Sequence, residues 1–455
     1  MNRIVYLLLT FGLAASMTAQ TQADFKPLRY DDNFSYLEED TLPSTYEKIK
    51  YLPLGNKKHY LSVGGEIREQ YIYTKNNGWG DLSDAPDGYL LSRYLLHADL
   101  KSGRFRTFIQ LQSSLAYGID NPSPVDHNTL DLHQAFIEAV VLSDEKSKLN
   151  IRAGRQELLY GSQRLIGVRE GPNSRIAMDA AKLLYKQDQF QSDLFYAHPV
   201  ANKPGTFNDP FNEKALLWGS YTVINNLKFL NNIDLYYLGV WKKRAEYDAA
   251  SGEEIRHSLG FRVWKNSNRW KYDIEAVYQF GKLSQATVSA WTLSSNISYK
   301  ATSLKFKPVF GLKSEIISGD KTSNDNKIQT FNPLYPRGAY FGLVALIGPA
   351  NLFDIHPSLE LEISNSWNLG IDYDLFWRWS TNDGLYAPNM QLLYSGQNTT
   401  KSFIGSQLAA TIDYTPSPFL SLTLEGAWFD SGAFLKEAGA GKDYFYSAFT
   451  ARIRF

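Results

Sequence analysis

The stretch that decides the fold is RWKYDIEAVYQF, residues 269–280. Trp270, Tyr272, Ile274, Ala276, Tyr278 and Phe280 alternate with Lys271, Asp273, Glu275 and Gln279. A period of two puts the two sets on opposite faces of one β-strand. One face is apolar and aromatic, the other charged. A soluble sandwich or barrel would use shorter strands, carry charges outside and bury hydrocarbon. A strand with lipid on one side and water on the other needs this long, two-faced pattern.

The same scheme recurs outward in both directions. In YLSVGGEIREQYIY, Leu61, Val63, Ile67, Tyr71 and Tyr73 oppose Ser62, Glu66, Arg68 and Gln70. RFRTFIQLQSS sets Phe105, Ile109 and Leu111 against Arg104, Arg106, Gln110 and Gln112. LKFKPVFGLKSE sets Leu304, Phe306, Phe310 and Leu312 against Lys305, Lys307, Lys313 and Glu315. WNLGIDYDLFWRW and LSLTLEGAW repeat it. Such runs match the roughly 9–11 residues a tilted strand needs to cross an outer membrane. About eighteen fall between Tyr60 and Phe455. Short polar turns (KSG at 101–103, KNSN at 265–268) alternate with long Asn/Asp/Gly/Pro-rich links (76–88, 120–129, 200–212 and 319–353). The expected fold is therefore all-β: a transmembrane, antiparallel, up-and-down β-barrel of about 18 strands in the cell outer membrane.

The last residues, SAFTARIRF (447–455), fit as the closing strand. Phe449, Ala451, Ile453 and Phe455 would face lipid, and Arg452 and Arg454 the lumen. In hydrocarbon an unpaired strand edge is too costly, so this strand must pair with the first. Its terminal Phe also resembles the tag read by the barrel-insertion machinery.

Composition agrees. Lys and Arg number 47, as do Asp and Glu, and net charge is zero, which argues against a nucleic-acid partner. Aromatics are 14% of residues and cysteine is absent, so disulfides and thiolate metal sites are excluded. Met1–Gln20 read as a signal peptide: Arg3, then the apolar IVYLLLTFGLAA, then small residues. Residues 21–59 follow neither period and are expected as a periplasmic or lumen-entering lead, with the barrel over 60–455.

Parity names an inner lining that leans basic: Arg68, Arg93, Arg104, Arg106, Arg152, Lys305, Lys307, Arg452 and Arg454 among others. Rows of Arg or Lys in a pore attract anions. The bland alternative is that these charges pair across the lumen and choose no solute.

Two stretches carry more than periodicity. GRQELLYGSQRLIGVREGPNSRIAMDAAKL (154–183) and SGDKTSNDNKIQTFNPLYPRGAYFG (318–342) resemble hallmarks of the alginate-export family of outer-membrane channels. The resemblance spans nearly the whole mature chain, although IAMDA stands where the family more often has Phe-Asp-Gly. It implies an eighteen-stranded barrel passing an anionic polysaccharide or oligouronate. It also implies Arg155, Arg164 and Arg175 as carboxylate contacts, with Asp179 as counter-charge. Guanidinium forks match carboxylates, and successive weak holds let a polyanion enter and leave. Parity sets Arg155 outward with Ile151 and Ala153. Either a bulge at Gly154 turns it inward, or it lies above the membrane rim; the glycine favours the bulge. The stretch 318–353 is too long for an ordinary loop. It is either a constriction tucked into the lumen or an extracellular loop.

No cofactor or metal is expected: Asp320, Asn324 and Asp325 lack the spacing of a calcium loop. No enzyme is expected either, since neither Gly-x-Ser-x-Gly nor His-Glu-x-x-His occurs. A general or substrate-preferring porin, or a surface structural or adhesin barrel, remains as an alternative.

Overall fold

A computed structural model describes residues 24–39, 44–55, 59–83, 85–322 and 325–455. Residues 1–20, read from the sequence as a signal peptide, lie outside the described residues. Eighteen long strands build the wall. In chain order they are β1 (His59–Lys75), β2 (Asp87–Ser102), β3 (Phe105–Tyr117), β4 (Asn128–Ser143), β5 (Ser147–Gln156) and β6 (Met178–Gln187). Then come β7 (Phe190–Pro199), β8 (Ala215–Leu227), β9 (Asn231–Glu246), β10 (Ser251–Asn266), β11 (Trp270–Leu283) and β12 (Ala286–Lys300). The last are β13 (Val309–Ile317), β14 (Leu352–Glu362), β15 (Trp367–Arg378), β16 (Phe403–Ser417), β17 (Leu420–Ser431) and β18 (Tyr444–Arg454).

Each pairs antiparallel with the next, and β18 pairs with β1 from Glu66↔Arg454 to Lys75↔Phe445. Phe455 extends the seam, exchanging backbone hydrogen bonds of 2.8 and 3.0 Å with Gly65. No strand edge is left for lipid to desolvate.

The wall is inverted relative to a soluble protein. On β11, Ile274, Ala276, Tyr278 and Phe280 are exposed while Glu275, Val277 and Gln279 are buried. Leu259 and Phe261 on β10 and Phe449 on β18 belong to the same exposed apolar band. Glu66, Arg93 and Arg256 are completely inaccessible inside.

Two runs end earlier than their alternation implies. Residues 301–308 form a turn, and β13 starts only at Val309. Phe306 and Lys307 take φ of 63° and 40°, and Pro308 has no N–H to give a ladder. Lys305 and Lys307 therefore sit in the turn at the short-turn rim rather than on a strand, and Lys307 pairs with Glu362 at 2.7 Å. Arg104 is likewise an exposed residue of the β2–β3 turn, beside Gly103 at φ 61°.

Insertions from both rims fold into the lumen. Residues 24–39 and 44–55 pack against the inner wall at the short-turn rim. The α-helix among them, α1 (Thr45–Lys50), starts where Ser-Thr-Tyr-Glu supplies a capping box: Ser44 Oγ accepts from the Glu47 N–H, and the Glu47 carboxylate accepts from the Ser44 N–H. From the opposite rim, the β5–β6 loop (157–177) and the β13–β14 loop (318–351) fold inward. They join edge to edge: Tyr335 N–H donates to the Leu165 carbonyl and Gly167 N–H to the Tyr335 carbonyl, at 2.8 and 2.9 Å.

Candidate functional site: an arginine-braced lumen

The wall from β18 through β1, β2, β3 and β5 carries a row of inward cations: Arg454, Arg452, Arg68, Arg93, Arg106 and Arg152. Most of their charge is spent internally. Arg93 donates to Glu66 at 2.6 and 3.1 Å, and Arg29 of the lead reaches the same carboxylate at 3.3 Å. Arg106 holds Asp99 at 2.7 and 2.8 Å and donates to the Tyr30 carbonyl. Arg152 holds Glu138 at 2.7 Å and lies 4.3 Å from the Tyr30 ring centroid. These contacts dock the lead. Arg452 and Arg454, with 21% and 28% of their side chains exposed, make only long pairs, 3.3 Å to Glu170 and 3.5 Å to Glu66. Among the described residues Arg68 finds no carboxylate within salt-bridge distance; it donates to the carbonyls of Glu170, Gly171 and Pro172 and to Asn173 Oδ1.

The 157–177 loop crosses the lumen between this wall and the opposite one. Arg175 forks Glu157 at 2.6 and 2.9 Å, reaches Glu170 at 2.8 Å and donates to the Pro27 carbonyl. Asn173 donates to the carbonyls of Ser92, Leu115 and Asp126. Arg164 spans to β12–β13, donating to Glu315 at 2.7 and 3.2 Å and Thr292 Oγ1 at 3.1 Å. Burial alone would push the Glu170 carboxyl up, but Arg93, Arg175, Arg452 and Arg68 together hold it well below the usual carboxylate range.

The second loop is held by its own motif. Asn332 Nδ2 donates to Glu254 and Tyr247, and its backbone N–H donates to Gln279 Oε1 at 2.9 Å. Thr330 Oγ1 donates to Asp383, which also accepts from the Asp320 N–H at 2.7 Å. Burial, with Asp383 adding, raises the Asp320 carboxyl to about 6.

Arg155 and Asp179 form a two-pronged pair of 2.9 and 3.0 Å at the long-loop ends of β5 and β6. The register runs without a shift through Gly154, so the bulge is not there. Arg155 keeps its outward parity, and at the rim it also donates to the Leu132 and Asp209 carbonyls. The glycine's φ of 126° serves a tight approach instead, since a Cβ would lie 2.3 Å from the Ala135 carbonyl oxygen.

What stays open beside β13–β16 is a cavity of about 580 Å³, and its lining is mixed. Asp372, Asp374 and Asp413 face it, as do Lys313 and the rim pairs of Lys300 and Lys307 with Glu362. The lumen thus has an arginine side and an acidic side, rather than a basic lean throughout.

Sequence reasoning missed Glu157 and Glu170, which sit on a loop where no strand parity points inward. It also missed the stack Tyr160–Tyr221–Tyr236, with centroids 4.9 and 5.0 Å apart, whose hydroxyls bond Asp193, Asp234 and Glu275. Even parity on β9 and odd parity on β8 would have found two of the three tyrosines.

A closed eighteen-strand barrel with a lipid-facing apolar band and charged, loop-crossed lumen defines an outer-membrane channel of the porin kind. The profile described as "Alginate export" matches residues 59–446, and the chain belongs to that family. Comparison with curated protein sequences gives no match. Among solved structures, the barrel is similar to a BenF-like porin from Pseudomonas fluorescens Pf-5 (TM-score 0.58, 8% identity, covering 87% of this chain and 98% of that one). It is also similar to Pseudomonas aeruginosa OpdQ (TM-score 0.56, 14% identity, 87% and 97%). A third is Pseudomonas aeruginosa OccK2 (OpdF), solved in complex with glucuronate (TM-score 0.56, 9% identity, 87% and 98%).

Proposed function

We propose that this channel passes anionic saccharides, oligouronates in particular, along its arginine side. The observation that carries the reading is the row Arg454–Arg452–Arg68–Arg93, continued by Arg175 on the crossing loop. Arg452 and Arg454 keep partly exposed side chains and only long ion pairs, so these two can take a passing carboxylate, while buried Arg68 holds the 170–173 stretch of the crossing loop. The family match and the glucuronate bound to one structural neighbour support the same solute class. In this arrangement Arg68, Arg164 and Arg175 position the crossing loop, and the contact with solute falls to Arg452 and Arg454.

A porin for small solutes of either sign is the second reading, favoured by Asp372, Asp374 and Asp413 on the open cavity. Planar-bilayer recordings separate the two. Oligouronate should block current in a concentration-dependent way that weakens in Arg452→Gln and Arg454→Gln, while a neutral oligosaccharide of equal length should not. Equal effects of both sugars would support the second reading.

A further inference from the structure

Behind the acidic side of the cavity lies a group of ligating side chains that the transport reading does not use. Ile355 pairs with Leu375 and Ser358 with Asp372, which brings His356 of β14 beside Asp372 and Asp374 of β15. One atom from each of these three side chains lies within 4.8 Å of the other two. His356 and Asp374 are each only 1% exposed. Asp354, wholly buried one pleat further up β14, adds a carboxylate 3.3 Å from His356 Nε2.

The cluster is short of donors. Both Asp354 oxygens, both His356 nitrogens, Asp372 Oδ1 and Asp374 Oδ1 are buried without a hydrogen-bond partner; His356 Nδ1 touches Asp374 Oδ1, but not in hydrogen-bond alignment. The one nearby cation, Lys313, sits opposite His356 in the ladder, yet its ammonium donates to the Tyr340 carbonyl and covers the Tyr340 ring. Three carboxylates thus crowd one imidazole, and the nearby ammonium is turned toward Tyr340. Buried carboxylates in that state are expensive unless a cation joins them.

We propose that His356, Asp372 and Asp374 form a site for a divalent cation of the zinc class. One imidazole with carboxylates is a borderline donor set, matched to Zn²⁺ rather than to Ca²⁺ or Mg²⁺, which take oxygen alone. Ligand atoms of a tetrahedral zinc stand roughly 3.4 Å apart, so donors already within 4.8 Å of one another reach that spacing by small side-chain shifts. Gln407 Nε2 already donates to Asp374 Oδ2 at 2.8 Å, which orients that carboxylate and leaves Oδ1 for the ion, as outer partners of metal sites do. Asp372 and Asp374 also line the cavity, so the remaining coordination position opens on it and takes water or a solute oxygen.

The test uses the full-length mature protein in detergent, stripped with a chelator and titrated with Zn²⁺ against a chromophoric competitor. One saturable site per chain is expected. Co²⁺ in its place should give the visible bands of a four-coordinate ion. His356→Gln and Asp374→Asn should each weaken binding tenfold or more, while Asp413→Asn, on the same cavity, should leave it unchanged. Heat-modifiable migration of each variant confirms a folded barrel, and Asp372→Asn replaces either variant that fails it. No saturable binding, or binding that survives the ligand substitutions, would overturn the proposal.

Discussion

Replacing Arg164 tests how the crossing loop is held. Its guanidinium donates to Glu315 and Thr292, lies 3.6 Å from Glu275 and leaves only 3% of its side chain exposed. Arg164→Met removes those bonds and strands a buried Glu315 carboxylate. Breaking a buried pair from one side costs about 3–5 kcal/mol. At about 1.4 kcal/mol per decade, the loop's docked state should lose between roughly a hundredfold and a few thousandfold in population. Single-channel recording reads this directly, as longer openings and a larger conductance step. The companion Arg164→Met/Glu315→Gln should recover much of the loss, because the orphaned charge is gone. Wild-type conductance and gating in Arg164→Met would refute the reasoning.

Ala276 faces outward near the middle of β11, so Ala276→Arg should cost about 2–4 kcal/mol in denaturant unfolding from lipid vesicles; no loss would contradict the outward face. Lys50, buried over the Phe34 and Tyr46 rings without a hydrogen-bond partner, is pulled down to about 8 by burial and then by Arg29, with Asp32 opposing. A lowered lysine means that the docked lead binds fewer protons than the free one, so docking should tighten as pH rises through about 8 toward the free value. Proteolytic release of the lead should slow over that window, and Lys50→Met should abolish the dependence. Asp320, raised to about 6, gives the opposite sign: the 318–351 loop should hold better below pH 6 than above it, and Asp320→Asn should flatten that trend in gating frequency.

The wall was legible because a period of two survives every tertiary context: Glu275 points in and Ile274 out wherever the strand sits. Alternation failed at Leu304–Lys307, where a turn ending in Pro308 imitates a strand. It also failed at Arg104, one residue beyond the strand that continues its pattern. Parity placed Arg155 outward, and the glycine argument that turned it inward was the error. The lining was only half readable. Parity counts inward charges but not their partners, and those lie far away in sequence: Arg164 meets Glu315, 151 residues on. Glu157 and Glu170, on a loop with no period, neutralise Arg175 and much of the arginine side.

The most direct test of the central claim is flux into liposomes carrying the purified protein, comparing a uronate trisaccharide with a neutral one of equal size. The uronate should enter faster, and its advantage should shrink in Arg452→Gln/Arg454→Gln. Faster entry of the neutral sugar, or equal entry of both, would contradict an arginine-guided path for anionic saccharides.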